Sequence, residues 1–162
     1  IQNPFLAEIE TLYSKEFETA QKISKKIKKK LNVKLPRGEE GFIALHIHSA
    51  RTRGKLSNTI KYSYLSSVIV EEIEKRLNIK IDRKSLDYAR FLTHVRFAIE
   101  RVVANKEITN DLLDVIKERY KVSYNIAEDI SGIICKTLEV ESISEDEISY
   151  LAMHIERFRI TL

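Results

Sequence analysis

Turn-forming residues are scarce in this chain. Four glycines and two prolines are spread over 162 residues, which leaves little material for the tight turns of β-hairpins and favours helices. One cysteine, Cys135, excludes an internal disulfide framework and suits a reducing, cytoplasmic setting. No apolar run approaches the ~18 residues of a membrane span, and no signal-peptide pattern opens the chain, so no membrane contact is expected. A glycine-rich phosphate loop and a nucleophile elbow are both missing. What remains is 43% hydrophobic and 32% charged, the balance of a soluble domain with a sizeable core.

A short stretch occurs twice. Phe42-Ile43-Ala44-Leu45-His46-Ile47 and Tyr150-Leu151-Ala152-Met153-His154-Ile155 each carry an aromatic residue four positions before a histidine. The echo extends upstream. At an offset of 107, Asn3, Leu6, Ile9, Tyr13, Ala20, Ile23 and Ile27 match Asn110, Leu113, Ile116, Tyr120, Ala127, Ile130 and Ile134. The offset becomes 108 after one residue enters near Ser142–Ser144, and Glu39 and His46 then match Glu147 and His154. This is a tandem repeat. The second copy has about fifty residues ahead of Asn110, roughly Asn58 to Glu107, whereas two precede Asn3. The reading is therefore of a truncated first module, residues 1–53, a linker at 54–57, and a complete second module at 58–162.

Helical spacing runs throughout. Asn3-Pro4 is a helix start, and Phe17, Ala20, Ile23, Ile27 and Leu31 form the stripe of a helix over Lys15 to Leu31. Leu35-Pro36-Arg37-Gly38 is a break, and the helix bearing His46 follows from Glu39. In the second module Tyr62, Leu65, Val68 or Ile69, Ile73 and Leu77 predict one helix. Leu86, Ala89, Leu92, Val95, Ile99 and Val102 predict the buried face of the next, capped by Asp82 or Ser85. Helices near 110–120, 124–139 and 145–158 complete an all-α, five-helix module.

Charge is uneven. Residues 1–57 carry 12 Lys+Arg against 6 Asp+Glu, or +6, and residues 58–162 carry 16 against 18, or −2. The cluster Lys25, Lys26, Lys28, Lys29 and Lys30 could contact nucleic-acid phosphates, or it is the solvated face of an amphipathic helix.

Histidine carries the chemistry. Its neutral ring nitrogen is a nucleophile near physiological pH. His94 has Arg90 at i−4 and Phe97 at i+3, and His154 has Tyr150 at i−4, Arg157 at i+3 and Phe158 at i+4. Each histidine is thus expected at the rim of an apolar stripe with a guanidinium in reach. That setting suits phosphoryl acceptance, because a nearby arginine favours the added charge. An ordinary rim histidine is the competing reading. His46 and His48, at i and i+2, point to different helix faces, unlike the i, i+4 pair of helical zinc ligands, so no metal and no cofactor is expected. His48 is read as a surface residue and Cys135 as structural.

The two repeated stretches, with Arg90-Phe91-Leu92-Thr93-His94-Val95-Arg96-Phe97-Ala98, resemble the motifs of PTS regulation domains (PRDs), the paired helical modules of BglG/SacY-type bacterial antiterminators. Ala44-Leu45-His46-Ile47-His48-Ser49-Ala50 is most similar to the glucose type. The resemblance implies regulation without catalysis. An RNA-binding domain N-terminal to the modules would act on nascent mRNA, and the phosphocarrier HPr or a sugar-specific enzyme II would phosphorylate PRD histidines. Carried over, His94 and His154 are the two phosphoacceptor positions of the second PRD and His46 the second position of the first. Arg90 and Arg157 are the phosphate-supporting residues. A homodimer is implied, with RNA bound only through the N-terminal domain. A PRD region from a DNA-binding activator, or a basic helical module that binds nucleic acid directly, are the alternatives.

Overall fold

In a chain this poor in glycine, asparagine supplies most of the left-handed turns. The computed structural model describes residues 2–161, and among them the left-handed backbone positions fall on Asn32, Arg53, Asn78, Asn105 and Glu139, with no glycine at positive φ. Asparagine tolerates that region better than other residues with a Cβ, because its short amide bonds locally. Asn32 closes α2 and Glu139 closes α7, and these two are repeat counterparts.

Eight helices and no strand are found among the described residues, so the all-α expectation holds. They are α1 (Leu6–Leu12), α2 (Ser14–Leu31), α3 (Arg37–Arg51), α4 (Leu56–Leu77), α5 (Leu86–Val103), α6 (Leu113–Arg119), α7 (Lys121–Leu138) and α8 (Glu145–Ile160). No helix among the described residues is long and apolar enough to cross a membrane. The chain divides into two compact units, Ile1–Ser67 and Val68–Leu162, with the boundary inside α4.

The repeat is visible in three dimensions. Within each unit a single tyrosine separates a short helix from a long one, Tyr13 between α1 and α2 and Tyr120 between α6 and α7. The asparagine that opens each repeat makes the same turn: Phe5 N donates to Asn3 Oδ1 at 3.3 Å and Leu112 N to Asn110 Oδ1 at 3.1 Å. The expected helix start at Asn3-Pro4 is therefore a side-chain-closed turn, and α1 proper begins at Leu6. Likewise α3 begins at Arg37, directly after Pro36, rather than at Glu39.

In the first unit, Phe5, Ile9, Tyr13, Phe17, Ala20, Ala44 and Leu45 form the core, with Leu56 and Ile60 of α4 packed against it. Gly41 permits the close passage of α1 and α3, since a Cβ there would meet Asn3 Nδ2 at 2.8 Å and Leu6 Cδ1 at 2.9 Å. The α2 stripe departs from expectation. Ile23 and Leu31 are 37% and 69% exposed, whereas Ile130 and Ile134, the counterparts of Ile23 and Ile27, are 0% and 1% exposed within the second unit. On α5 the buried face is Tyr88, Phe91, Leu92, Val95, Ala98 and Ile99, and Leu86, expected inside, lies exposed at the helix start. Spacing gives a stripe its period but leaves its rotational phase to whatever covers it.

Candidate functional site

α5 and α8 build the site inside the second unit. Ser85 caps α5, its hydroxyl accepting from Tyr88 N at 3.1 Å, and Ser144 caps α8 by accepting from Glu147 N at 3.3 Å. Both helices turn apolar faces inward, Phe91, Val95 and Ala98 from α5 and Leu151, Ile155 and Phe158 from α8. Phe91 and Phe158 meet edge to face, ring centres 5.4 Å apart, which locks the helices near one end. His94 and His154 sit at the edge of this seam. Their ring centres are 4.9 Å apart, with Tyr150 5.8 Å from His94 and Phe91 6.3 Å from His154.

Both imidazoles face one open pocket of about 450 Å³, lined by Leu86, Ala89, Arg90, Thr93, Phe97 and the two histidines themselves. Burial, reinforced by the positive charge His94 would carry, pushes the His154 pKa down to about 4. Asp87 opposes this shift and Arg90 adds to it. His154 is therefore neutral at physiological pH, with a lone pair available on its ring. Arg90 lines the pocket mouth. Arg157, expected beside His154, instead reaches Asp87 at 3.7 Å and is not among the lining residues.

Beneath the pocket lies an acid that spacing did not single out. Glu147 of α8 is 3% exposed. Arg101 of α5 grips it with two bonds, Nε to Oε2 at 2.8 Å and Nη2 to Oε1 at 2.7 Å, and His94 Nε2 lies 3.2 Å from Oε1. Burial alone would raise the Glu147 pKa, but the His94 and Arg101 contacts outweigh it and hold the carboxyl below its ordinary value. The His94 contact is close but not well aligned: Nε2 is buried, and Glu147 Oε1 lies 3.2 Å away without meeting strict hydrogen-bond geometry. In sequence Glu147 reads as the third residue of the Ser144 capping box. Its repetition at Glu39 was the available signal that it does more.

The first unit arranges its histidines differently. His46, the counterpart of His154, is exposed. His48 is no surface residue: its ring stacks on Tyr13 at 4.2 Å, and its Nδ1 lies 3.1 Å from the carboxylate of Glu16, which is 5% exposed. Arg51 completes this cluster, 2.9 Å from the same carboxylate oxygen. No group of three His, Cys, Asp or Glu that could hold a metal occurs among the described residues. Cys135 is partly buried and its thiol is pushed above its ordinary pKa by desolvation, the opposite of an activated nucleophile.

Comparison with known proteins agrees with this architecture. The PRD domain family matches residues 1–50 and 67–158. The chain is 38% identical over 160 residues to the PtsGHI operon antiterminator of Bacillus subtilis (strain 168), covering 97% of this chain and 56% of that protein. It is 34% identical over 160 residues to the transcription antiterminator LicT of the same organism, covering 97% and 57%. It is 31% identical over 165 residues to the beta-glucoside operon antiterminator of Dickeya chrysanthemi, covering 100% and 58%. The chain thus spans a little over half the length of the curated relatives it matches. A helical tandem repeat, two histidines on one pocket, and identity along nearly its whole length make this chain a member of the PRD domain family, of the BglG/SacY antiterminator type that includes the glucose antiterminators.

Proposed function

We propose that this chain is the sugar-responsive regulatory region of a transcriptional antiterminator, with His94 and His154 accepting phosphoryl groups from the phosphocarrier HPr. The observation that carries the reading is the pairing of two imidazoles, ring centres 4.9 Å apart, on one open pocket with a guanidinium at its mouth. A neutral, partly accessible imidazole is the nucleophile that phosphoryl transfer requires, and Arg90 is placed to offset the charge that arrives. His46, exposed on α3, is the acceptor position of the first module, and a sugar-specific enzyme II is a second donor to these histidines. The 54–57 linker marks the module division in this reading, although α4 begins within it and its first turns pack on the first unit's core.

Phosphorylation adds about −1.5 to −2 charges to a site. Driving a two-state equilibrium from 1:99 to 99:1 takes about 5.5 kcal/mol, and a few charge-assisted hydrogen bonds of ~1.5–3 kcal/mol each supply that much. The state so biased is a homodimer in the cytoplasm, whose RNA-binding segment elsewhere in the full protein engages nascent mRNA. No chemistry is performed on a substrate. To test this, the protein is incubated with HPr, enzyme I and phosphoenolpyruvate and its peptides are weighed. Phosphate on the His94 and His154 peptides is expected, and none on either, with HPr itself charged, would defeat the reading.

One observation favours a second reading, direct nucleic-acid binding by the first unit. Lys25, Lys26, Lys28, Lys29 and Lys30 are all exposed on α2. RNA binding by the chain that weakens steeply with salt would support it, since phosphate contacts release counterions.

A further inference from the structure

We infer that His94 takes the phosphoryl group on Nδ1, because Glu147, clamped by Arg101, occupies the Nε2 side of its ring. The inference rests on the phosphoacceptor reading above and adds to it which atom reacts and which residue decides.

Nε2 is closed by its surroundings. It is buried, and the Glu147 carboxylate lies 3.2 Å from it. That carboxylate cannot swing aside, because Arg101 holds both of its oxygens at 2.7–2.8 Å. A fixed negative oxygen does two things to a ring nitrogen beside it. It repels a lone pair there, so the ring proton rests on Nε2 and the lone pair on Nδ1. It also repels the negatively charged phosphoryl group on that side. His94 itself lines the pocket, together with Arg90 and Thr93, and with Nε2 buried against Glu147 the pocket's access is to the rest of the ring.

The transfer then balances simply. The Nδ1 lone pair attacks phosphorus, the Nδ1–P bond forms as the donor's P–N bond breaks, and the donor nitrogen leaves with the bonding pair. The proton stays on Nε2, and the positive charge that develops on the ring is offset by Glu147. Glu147 touches neither donor nor phosphorus. It is a positioning residue, acting through the imidazole, and Arg101 positions it in turn. Among the described residues no carboxylate contacts the His154 ring, which feels Asp87 only from a distance, so the two rings of one pocket differ in what directs them.

The test uses the chain labelled with ¹⁵N-histidine and potassium phosphoramidate, a small donor that leaves as ammonia, so that protein docking plays no part. Long-range ¹H–¹⁵N spectra first report the tautomer of each ring. We expect His94 in the Nε2–H form and, after reaction, phosphorus coupled to its Nδ1. In E147Q the tautomer preference should vanish and labelling of His94 at Nδ1 should fall about tenfold, the change that loss of one charge-assisted contact brings. His154 labelling should fall far less, and E147D should restore part of the His94 rate. General loss of structure would lower both rings together and would not be rescued by E147D. An Nδ1–H tautomer in the wild-type protein, measured without any variant, overturns the inference. Phosphorus on Nε2 of His94 overturns it while leaving the phosphoacceptor reading intact, whereas absence of label on His94 from any donor removes both.

Discussion

His46 and His154 hold the same place in the two repeats, and the described residues surround them differently. His154 lies half-buried on α8, 4.9 Å from a second imidazole and with its pKa lowered to about 4, whereas His46 on α3 is exposed. The difference is α5. Within the second unit it supplies Phe91, His94 and Arg101, and the described residues of the first unit, α1 to α3 and the start of α4, are the counterparts of α6 to α8 and not of α5. Equivalent spacing in a repeat therefore sets where a side chain emerges, and the helix laid against it sets what that side chain can do.

A second pair of sites makes the same point in the opposite sense. In the first unit Glu16 on α2 faces His48 and Arg51 on α3. At the corresponding positions in the second unit Ser123 on α7 donates to Glu156 on α8 at 2.6 Å, and Arg159 grips Glu156 with bonds of 2.8 and 3.0 Å. The acid has changed helices while the arginine has stayed. Each carboxylate is buried and satisfied, so the physical requirement is one carboxylate with its partners, wherever it is attached.

The largest effect is expected from breaking one of these clusters. E16S leaves His48 and Arg51 without their acid. It should cost roughly 3 kcal/mol by urea denaturation, at the lower end for a broken buried pair because Arg51 is largely solvated. The double variant E16S/H48E recreates the arrangement of the second unit and should recover most of the loss. If the double is no better than the single, the two clusters are not equivalent.

Acid should separate the histidines. A folded pKa near 4 for His154 against 6.5 unfolded means the unfolded chain binds the extra proton. The contribution of neutral His154 is intact above about pH 6.5 and lost as pH falls toward 4, at most about 3 kcal/mol over that window. Glu16, Glu147 and Glu156 have folded pKa values below their ordinary 4.5. Their contributions are complete above 4.5 and disappear below it, so they add in the same direction at lower pH. H154Q should flatten the loss between pH 6.5 and 4. An unchanged slope in H154Q would contradict the lowered pKa of His154.

Smaller effects probe the backbone. Gly41 corresponds to Ser149, which accepts from Asn110 Nδ2 at 2.8 Å. At Gly41 a Cβ would press on Asn3 and Leu6, so G41A should destabilise by about 1–3 kcal/mol. G41S should cost less, since the Asn3 amide can turn from Gly38 O to the new hydroxyl. Smallest of all, Glu139 closes α7 in the left-handed region where its counterpart Asn32 closes α2. E139N should stabilise by roughly 1 kcal/mol or less in thermal melts.

Much of this was legible in the sequence. The repeat, the all-α class, the long helices and the Ser85 cap follow from spacing and local chemistry, which the chain states directly. Three things did not follow. Ile23 and Leu31 read as buried because a helical stripe does not say whether anything covers it. His48 read as a surface residue because its partners, Tyr13 between α1 and α2 and Glu16 on α2, lie more than thirty positions away. Glu147 and Arg101 stayed hidden for the same reason: the distance between α5 and α8 at one level of the bundle is a property of packing, and no sequence interval encodes it.

The central claim is that the paired imidazoles of the second unit carry transferable phosphate. It is tested most directly by counting acid-labile phosphate on the wild-type chain, H94Q, H154Q and H94Q/H154Q after exposure to phosphorylated HPr. The account predicts a partial loss in each single variant and, in the double, only whatever label His46 accepts. Undiminished phosphate in H94Q/H154Q would contradict it.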